Sequence, residues 1–163
     1  MIIEIDGPEC VCGNRGCLET VASGKSLAKK ASEHLKSNSS GILYELIKGK
    51  PDHVTAQDVT LAAEMGDKFS INLLKKAGNY IGVALANAVN ILNPSTVIIG
   101  GGLISTGEIL VENIIKSVKL NTMMGILDDI EIKFSQLDVN GSALGCGLLA
   151  MLPLFKPGIN INY

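Results

Sequence analysis

The sequence predicts an α/β fold, rich in helix and carrying a small parallel sheet. Three observations predict it. Thr96-Val97-Ile98-Ile99 is a continuous apolar, mostly β-branched run without alternation, the pattern of a strand buried on both faces of a sheet. The segments from Asp67 onward read helix, strand, helix, strand, helix, which implies a right-handed parallel crossover between the two strands. The first of these helices, from Asp67 to about Leu92, repeats Gly78, Gly82 and Ala86 every four positions, leaving one face almost bare.

The elements follow in order. Thr20 to Lys36 carries Val21, Leu27, Ala28, Ala31 and Leu35 at mostly three- and four-residue spacings, predicting a short turn and then a helix, with a break at Ser23-Gly24. Ile42, Leu43, Leu46 and Ile47 form the apolar side of a brief helix stopped by Gly49-Lys50-Pro51. Thr55 and Asp58 form a capping box for a helix through Glu64 that ends before Gly66. In the long helix Tyr80, Ile81, Val83, Leu85, Val89, Ile91 and Leu92 spread apolar surface all round, as on a buried central helix. Its small-residue repeat also has the spacing of a membrane dimer face, but Asn79, Asn87, Asn90 and the short apolar length argue against that. Ser105-Thr106-Gly107-Glu108 is read as a capping box for a helix with Ile109, Leu110, Ile114, Ile115 and Val118. Asp129 to Phe134 is an alternating strand, and Gly141 to Leu152 a last helix broken by Pro153, with 153–163 as a tail.

The 163 residues suit one domain, and 47% apolar against 18% charged residues suggests faces that another element covers. Net charge is −2, and Lys29-Lys30 and Lys75-Lys76 are isolated pairs, so direct nucleic-acid binding by this segment is unsupported. No segment suits a membrane span, and the chain is read as cytoplasmic with reduced cysteines.

The chemistry concentrates in Cys10-Val11-Cys12-Gly13-Asn14-Arg15-Gly16-Cys17-Leu18-Glu19. Three thiolates on one glycine-hinged loop can fill three corners of a zinc tetrahedron. The alternative is a disulfide with one thiol left over. A complete zinc finger is not expected, because the second ligand pair at the usual spacing is missing, and neither His34 nor His53, both far downstream, is an obvious fourth ligand. Arg15 is read as solvated. Glu19 is either a carboxylate held by the loop to accept hydrogen bonds from sugar hydroxyls or a first-turn glutamate that suits the helix dipole. Gly100, Gly101 and Gly102, at the carboxyl end of the first strand, stand where open α/β sheets bind ligands, although a strand-glycine-helix turn is often only a tight connection.

Cys10-x-Cys12-Gly13-x-x-Gly16-Cys17-x-Glu19 resembles the signature of the ROK family of repressors and sugar kinases, within the actin-like ATPase superfamily. The resemblance implies the helix-rich carboxy-terminal half of a ribonuclease-H-like fold, truncated here to residues 1–152, with Cys10, Cys12 and Cys17 as structural zinc ligands. In the family the fourth ligand is a histidine upstream of the first cysteine, and Met1-Ile2-Ile3-Glu4-Ile5 begins where the residue after it would fall. The resemblance also implies that Glu19 contacts a hexose-type sugar and that Gly100 to Gly102 pack beside the adenosine of ATP. In the family the catalytic aspartate, both phosphate loops and three antiparallel strands precede the cysteine loop.

The reading is therefore part of an ATP- and Mg-dependent sugar kinase of glucokinase type, inactive alone, with the effector-sensing half of a ROK transcriptional repressor as the alternative. Coverage of the apolar faces is expected from a homodimer or from a complementing amino-terminal half.

Overall fold

The Thr55 hydroxyl accepts the Asp58 backbone N–H at 3.2 Å, and Asp58 Oδ2 accepts the Thr55 backbone N–H at 2.8 Å. Both bonds satisfy donors that a helix start leaves free, so the capping box read from the sequence opens a helix at Ala56. The structure, a computed structural model, describes residues 1–101, 107–127, 130–135, 137 and 141–155. Its helices are α1 (Leu18–Ala22), α2 (Gly24–Ser37), α3 (Ile42–Leu46), α4 (Ala56–Glu64), α5 (Lys68–Leu92), α6 (Glu108–Asn121), α7 (Met124–Leu127) and α8 (Gly141–Phe155). The strands are β1 (Thr96–Ile99) and β2 (Glu131–Phe134), and a 3₁₀ turn spans Pro51–His53.

The break read at Ser23-Gly24 separates α1 from α2, with the Ser23 hydroxyl accepting the Ser26 N–H at 3.1 Å. Two side chains of α2 then seize the end of α1. Ser26 Oγ donates to the Thr20 carbonyl at 2.6 Å and Lys30 Nζ to the Val21 carbonyl at 3.0 Å. These are carbonyls that a helix terminus leaves without partners, so the bonds fix the angle of α1 on α2.

The core gathers Leu27 and Leu35 of α2, Leu43 of α3, Val59 of α4, Leu74 of α5, and Leu110 and Ile114 of α6. Burying each such side chain contributes about 1.5–3 kcal/mol. His34 stacks on Phe69 at 3.7 Å between ring centroids and takes up packing space in place of a ligand role.

The bare face of α5 meets α6. A Cβ on Gly78 would come within 2.9 Å of the Leu110 carbonyl oxygen, and one on Gly82 within 2.8 Å of the Ile114 carbonyl oxygen. Both distances are too short for carbon, so the glycines are what lets the two backbones approach. The small-residue repeat is thus an internal packing seam. Because the partners advance along α6 as the residues advance along α5, the two helices run in the same direction. The chain between them has to return roughly 20 Å, at 1.5 Å of rise per residue, and β1 lies on that return.

β1 pairs with β2 in parallel, in the register Thr96↔Glu131, Val97↔Ile132, Ile98↔Lys133 and Ile99↔Phe134. This confirms the small parallel sheet, but β1 is not buried on both faces. Val97 and Ile99 are half-buried, while Thr96 and Ile98 are exposed, Ile98 by 69%. A sheet of two strands carries helices on one side here, and nothing among the described residues covers the other. Similarly, Ile91 and Leu92 end α5 in the open, so the long helix is enclosed only over its earlier turns.

Two boundaries differ from the sequence reading. α6 begins at Glu108 with Gly107 as N-cap at φ +113°, so Glu108 occupies the first helical position and cannot complete a box with Ser105. Ser105 and Thr106 lie outside the described residues. α8 continues through Pro153 to Phe155, because a proline in the last turn of a helix removes one hydrogen bond without ending it. Of the expected tail, 156–163 lie outside the described residues, as does Asp129 at the expected start of β2.

Candidate metal centre

Gly16 shapes the cysteine loop. Its φ of +63° is costly for any residue with a side chain, and a Cβ there would overlap the Glu4 carbonyl oxygen. The loop folds back on the first residues. The Gly16 carbonyl accepts from the N–H groups of Ile3 at 2.8 Å and Glu4 at 3.2 Å, Gly16 N–H donates to the Pro8 carbonyl at 2.8 Å, and Leu18 N–H to the Met1 carbonyl at 2.9 Å. Cys10 N–H donates to the Asn14 carbonyl at 2.8 Å and Gly13 N–H to the Cys10 carbonyl at 2.9 Å, closing the turn between the first two thiols and the third. Arg15 is not merely solvated. Glu9 and Arg15 face each other across an antiparallel bridge, so the guanidinium reaches Glu9 Oε1 at 3.0 Å.

The outcome is convergence. The sulfurs of Cys10, Cys12 and Cys17 all lie within 4.8 Å of one another, with Cys12 Sγ and Cys17 Sγ 3.6 Å apart. That separation is far beyond a bonded pair, and all three cysteines are free, as is the exposed Cys146. Tetrahedral zinc with Zn–S near 2.3 Å needs sulfurs about 3.8 Å apart. The Cys12–Cys17 pair is already near that spacing, and Cys12 is exposed enough to adjust. No histidine, aspartate or glutamate joins the three among the described residues.

The acid-base behaviour of the thiols also suits a cation. The Asn14 backbone N–H, followed by the Cys10 thiol and the Asn14 side-chain amide, holds Cys12 down to about 7. Its hydrogen bond with Cys12, then burial, pushes Cys17 up to about 11. One thiolate forms readily and discourages the next, since crowded like charges resist joint ionisation. A divalent cation would relieve that conflict, so the donor set fits zinc.

Glu19 is the second residue of α1, whose N-cap is Cys17, and its side chain is exposed. The loop therefore sets the carboxylate two residues from a candidate ligand and on a first helical turn, where negative charge is favoured. Gly100 follows β1, beside Ser135, and Gly101 takes φ +104°. Gly102 lies outside the described residues. The three cysteines are thus brought together with Glu19 at their rim, while no hydrogen bond among the described residues joins Glu19 to the glycine turn.

One contact at this site had no signal in the sequence. The Tyr80 hydroxyl of α5 donates to Glu4 Oε1 at 2.9 Å, across 76 positions, and burial, then the Glu4 carboxylate, raises the Tyr80 phenol above its ordinary value. Tyr80 reads from periodicity as one more apolar helix position.

The sequence model of the ROK family matches residues 1–152. The chain is 33% identical over 148 residues to a glucokinase of Halalkalibacterium halodurans, covering 91% of this chain and 44% of that one. It is 31% identical over 143 residues to the DNA-binding transcriptional repressor Mlc of Escherichia coli, covering 88% and 34%. Among solved structures, a ROK family glucokinase from Streptomyces griseus in complex with glucose and AMPPNP matches at a TM-score of 0.79 and 26% identity, over 91% of this chain and 49% of that one. The chain spans less than half the length of these relatives. Its fold is that of the ROK sugar kinases, within the actin-like ATPase fold. No described helix is long and apolar enough to cross a membrane. With the family match running through residue 152 of 163, the chain belongs to the ROK family.

Proposed function

We propose that this chain forms the zinc-bearing, sugar- and adenosine-contacting part of an ATP-dependent sugar kinase of glucokinase type. The observation that carries the reading is the convergence of Cys10, Cys12 and Cys17 immediately before the helix that presents Glu19. Zinc bound there would act as a structural cross-link between the two ends of the loop. Glu19 would accept hydrogen bonds from hydroxyls of a hexose-type sugar, and its charge and exposure suit that task. Gly100 and Gly101, without side chains at the carboxyl end of β1, would let an adenosine lie against bare backbone. The glucose and AMPPNP named with the Streptomyces griseus enzyme support both assignments.

Phosphoryl transfer also needs a phosphate cradle and a base for the attacking hydroxyl, and no carboxylate here is assigned that role. The chain alone is therefore proposed to bind without turning over. Glucose-dependent ATP turnover should appear when the chain is mixed with a separately produced amino-terminal half of a ROK glucokinase, and not with either part alone. A mixture that associates but never turns over ATP would contradict the kinase reading.

The similarity to Mlc supports a second reading, the effector-sensing half of a ROK transcriptional repressor. Calorimetry separates the two. Hexose binding that is indifferent to ATP favours the sensor, whereas hexose and ATP binding together favour the kinase.

A further inference from the structure

The cysteine loop stands away from the helical body. Ile5, Val11, Cys12 and Gly13 are exposed, and the loop's backbone hydrogen bonds run within residues 1–18 apart from Thr20 N–H to the Cys17 carbonyl at 2.9 Å, at the start of α1. Apart from Thr20 of α1, whose hydroxyl donates to the Cys17 carbonyl at 2.8 Å where the loop enters that helix, one side-chain hydrogen bond among the described residues ties this region to the body, and it is Tyr80 Oη to Glu4 Oε1 at 2.9 Å. Glu4 is well placed to transmit it. Its N–H donates to the Gly16 carbonyl at 3.2 Å, its own carbonyl accepts Gly7 N–H at 3.0 Å, and that same oxygen fills the space a Gly16 side chain would need. Gly16 in turn precedes Cys17, the buried sulfur of the three.

We propose that Tyr80, acting through Glu4, is a positioning residue that holds the cysteine loop in the shape that gathers its sulfurs. The inference rests on the metal reading above for its functional meaning, but the tether itself does not need the metal. Its setting favours a persistent bond. Tyr80 belongs to the helix against which α1 packs, so the loop and the Glu19 carboxylate are referred to one rigid element. Lys76, one turn earlier, lies 5.9 Å from the Tyr80 ring centroid. Lys30, whose ammonium bonds the end of α1, also feels the Glu4 charge, so a cation of the helical body stands near the accepting carboxylate. Partners that orient metal ligands from outside the coordination shell typically change affinity 10–100-fold when removed.

The test uses the whole 163-residue chain with Tyr80→Phe, Glu4→Ala and Glu4→Gln. Two measurements are made: amide exchange in the metal-free chain, and zinc affinity by competition with a chromophoric chelator. For Tyr80→Phe and Glu4→Ala, the N–H groups of Glu4, Gly16 and Leu18 should exchange faster while those of Leu74 in the core stay unchanged, and zinc affinity should fall on the order of tenfold. Glu4→Gln, whose amide oxygen can still accept from Tyr80, should keep most of both. Unchanged exchange in the loop overturns the proposal, as does faster loop exchange with unaltered zinc affinity. If the parent chain binds no zinc, the metal reading fails and exchange alone decides the tether: faster loop exchange in Tyr80→Phe supports it, and unchanged exchange overturns it.

Discussion

Gly82 of α5 and Ser117 of α6 touch so closely that the first carbon of any side chain on Gly82 would overlap the Ser117 Cβ. Ser117 is locked there, since its hydroxyl can donate to the Asn79 carbonyl at 2.9 Å or to Asn79 Oδ1 at 3.0 Å. In an exposed helix, Gly→Ala would gain about 1 kcal/mol of helix propensity. Here overpacking, at about 1–3 kcal/mol, opposes it, and the backbone carbonyl of Ile114 cannot move aside as a side chain could. Gly82→Ala is therefore expected to lower stability in urea unfolding, and Gly82→Ala with Ser117→Gly to lose less than the sum of the two singles. A stabilised Gly82→Ala would show that the seam is looser than described.

Two loop glycines share positive φ but not surroundings. Gly13, at φ +88°, has nothing near its missing side chain, whereas Gly16, at φ +63°, is filled by the Glu4 carbonyl. Gly13→Ala should cost only the backbone term, about 1–2 kcal/mol, and retain metal affinity. Gly16→Ala has to break the pairing with Glu4 and should abolish metal binding, as read by zinc competition.

The capping box on α4 gives a calibration far from the site. Thr55→Ala removes an acceptor for the Asp58 N–H and should cost about 1 kcal/mol in denaturant unfolding, with zinc affinity untouched.

The Lys36 ammonium, hydrogen-bonded to Asp52 at 2.6 Å, holds that carboxyl below its ordinary 3.8. A depressed folded value means that the unfolded chain binds the proton more tightly. The stabilisation is therefore present above 3.8 and is lost as pH falls through the folded value. Asp52→Asn should lower the melting temperature slightly near neutral pH, and the difference should vanish in strong acid and shrink with added salt, because the pair is exposed. A difference that persists in acid would assign the effect to something other than this pair.

Local signals in the sequence proved informative where neighbours along the chain decide the structure. The Thr55-Asp58 cap, the Ser23-Gly24 break, the small-residue seam of α5 and the clustering of three sulfurs within eight positions all depend on short spacings that the chain itself sets. What escaped depends on distant partners. The Tyr80–Glu4 bond spans 76 positions, and no periodicity of α5 distinguishes Tyr80 from the apolar residues beside it. The β-branched run of β1 predicts double burial because composition reports what a strand tolerates, whereas its exposure depends on how many layers pack against it. The start of α6 shows a third limit: Ser105 and Glu108 have the box spacing, yet Gly107 caps the helix two residues later.

The central claim is that Cys10, Cys12 and Cys17 hold one metal ion together. Zinc analysis of the reduced, purified chain, followed by cobalt substitution, tests it most directly. The account predicts one zinc per chain, a cobalt form with a strong thiolate-to-metal charge-transfer band and tetrahedral d–d absorption, and loss of both in Cys12→Ser and Cys17→Ser. A reduced chain that takes up no stoichiometric zinc and shows no thiolate-cobalt band would contradict it.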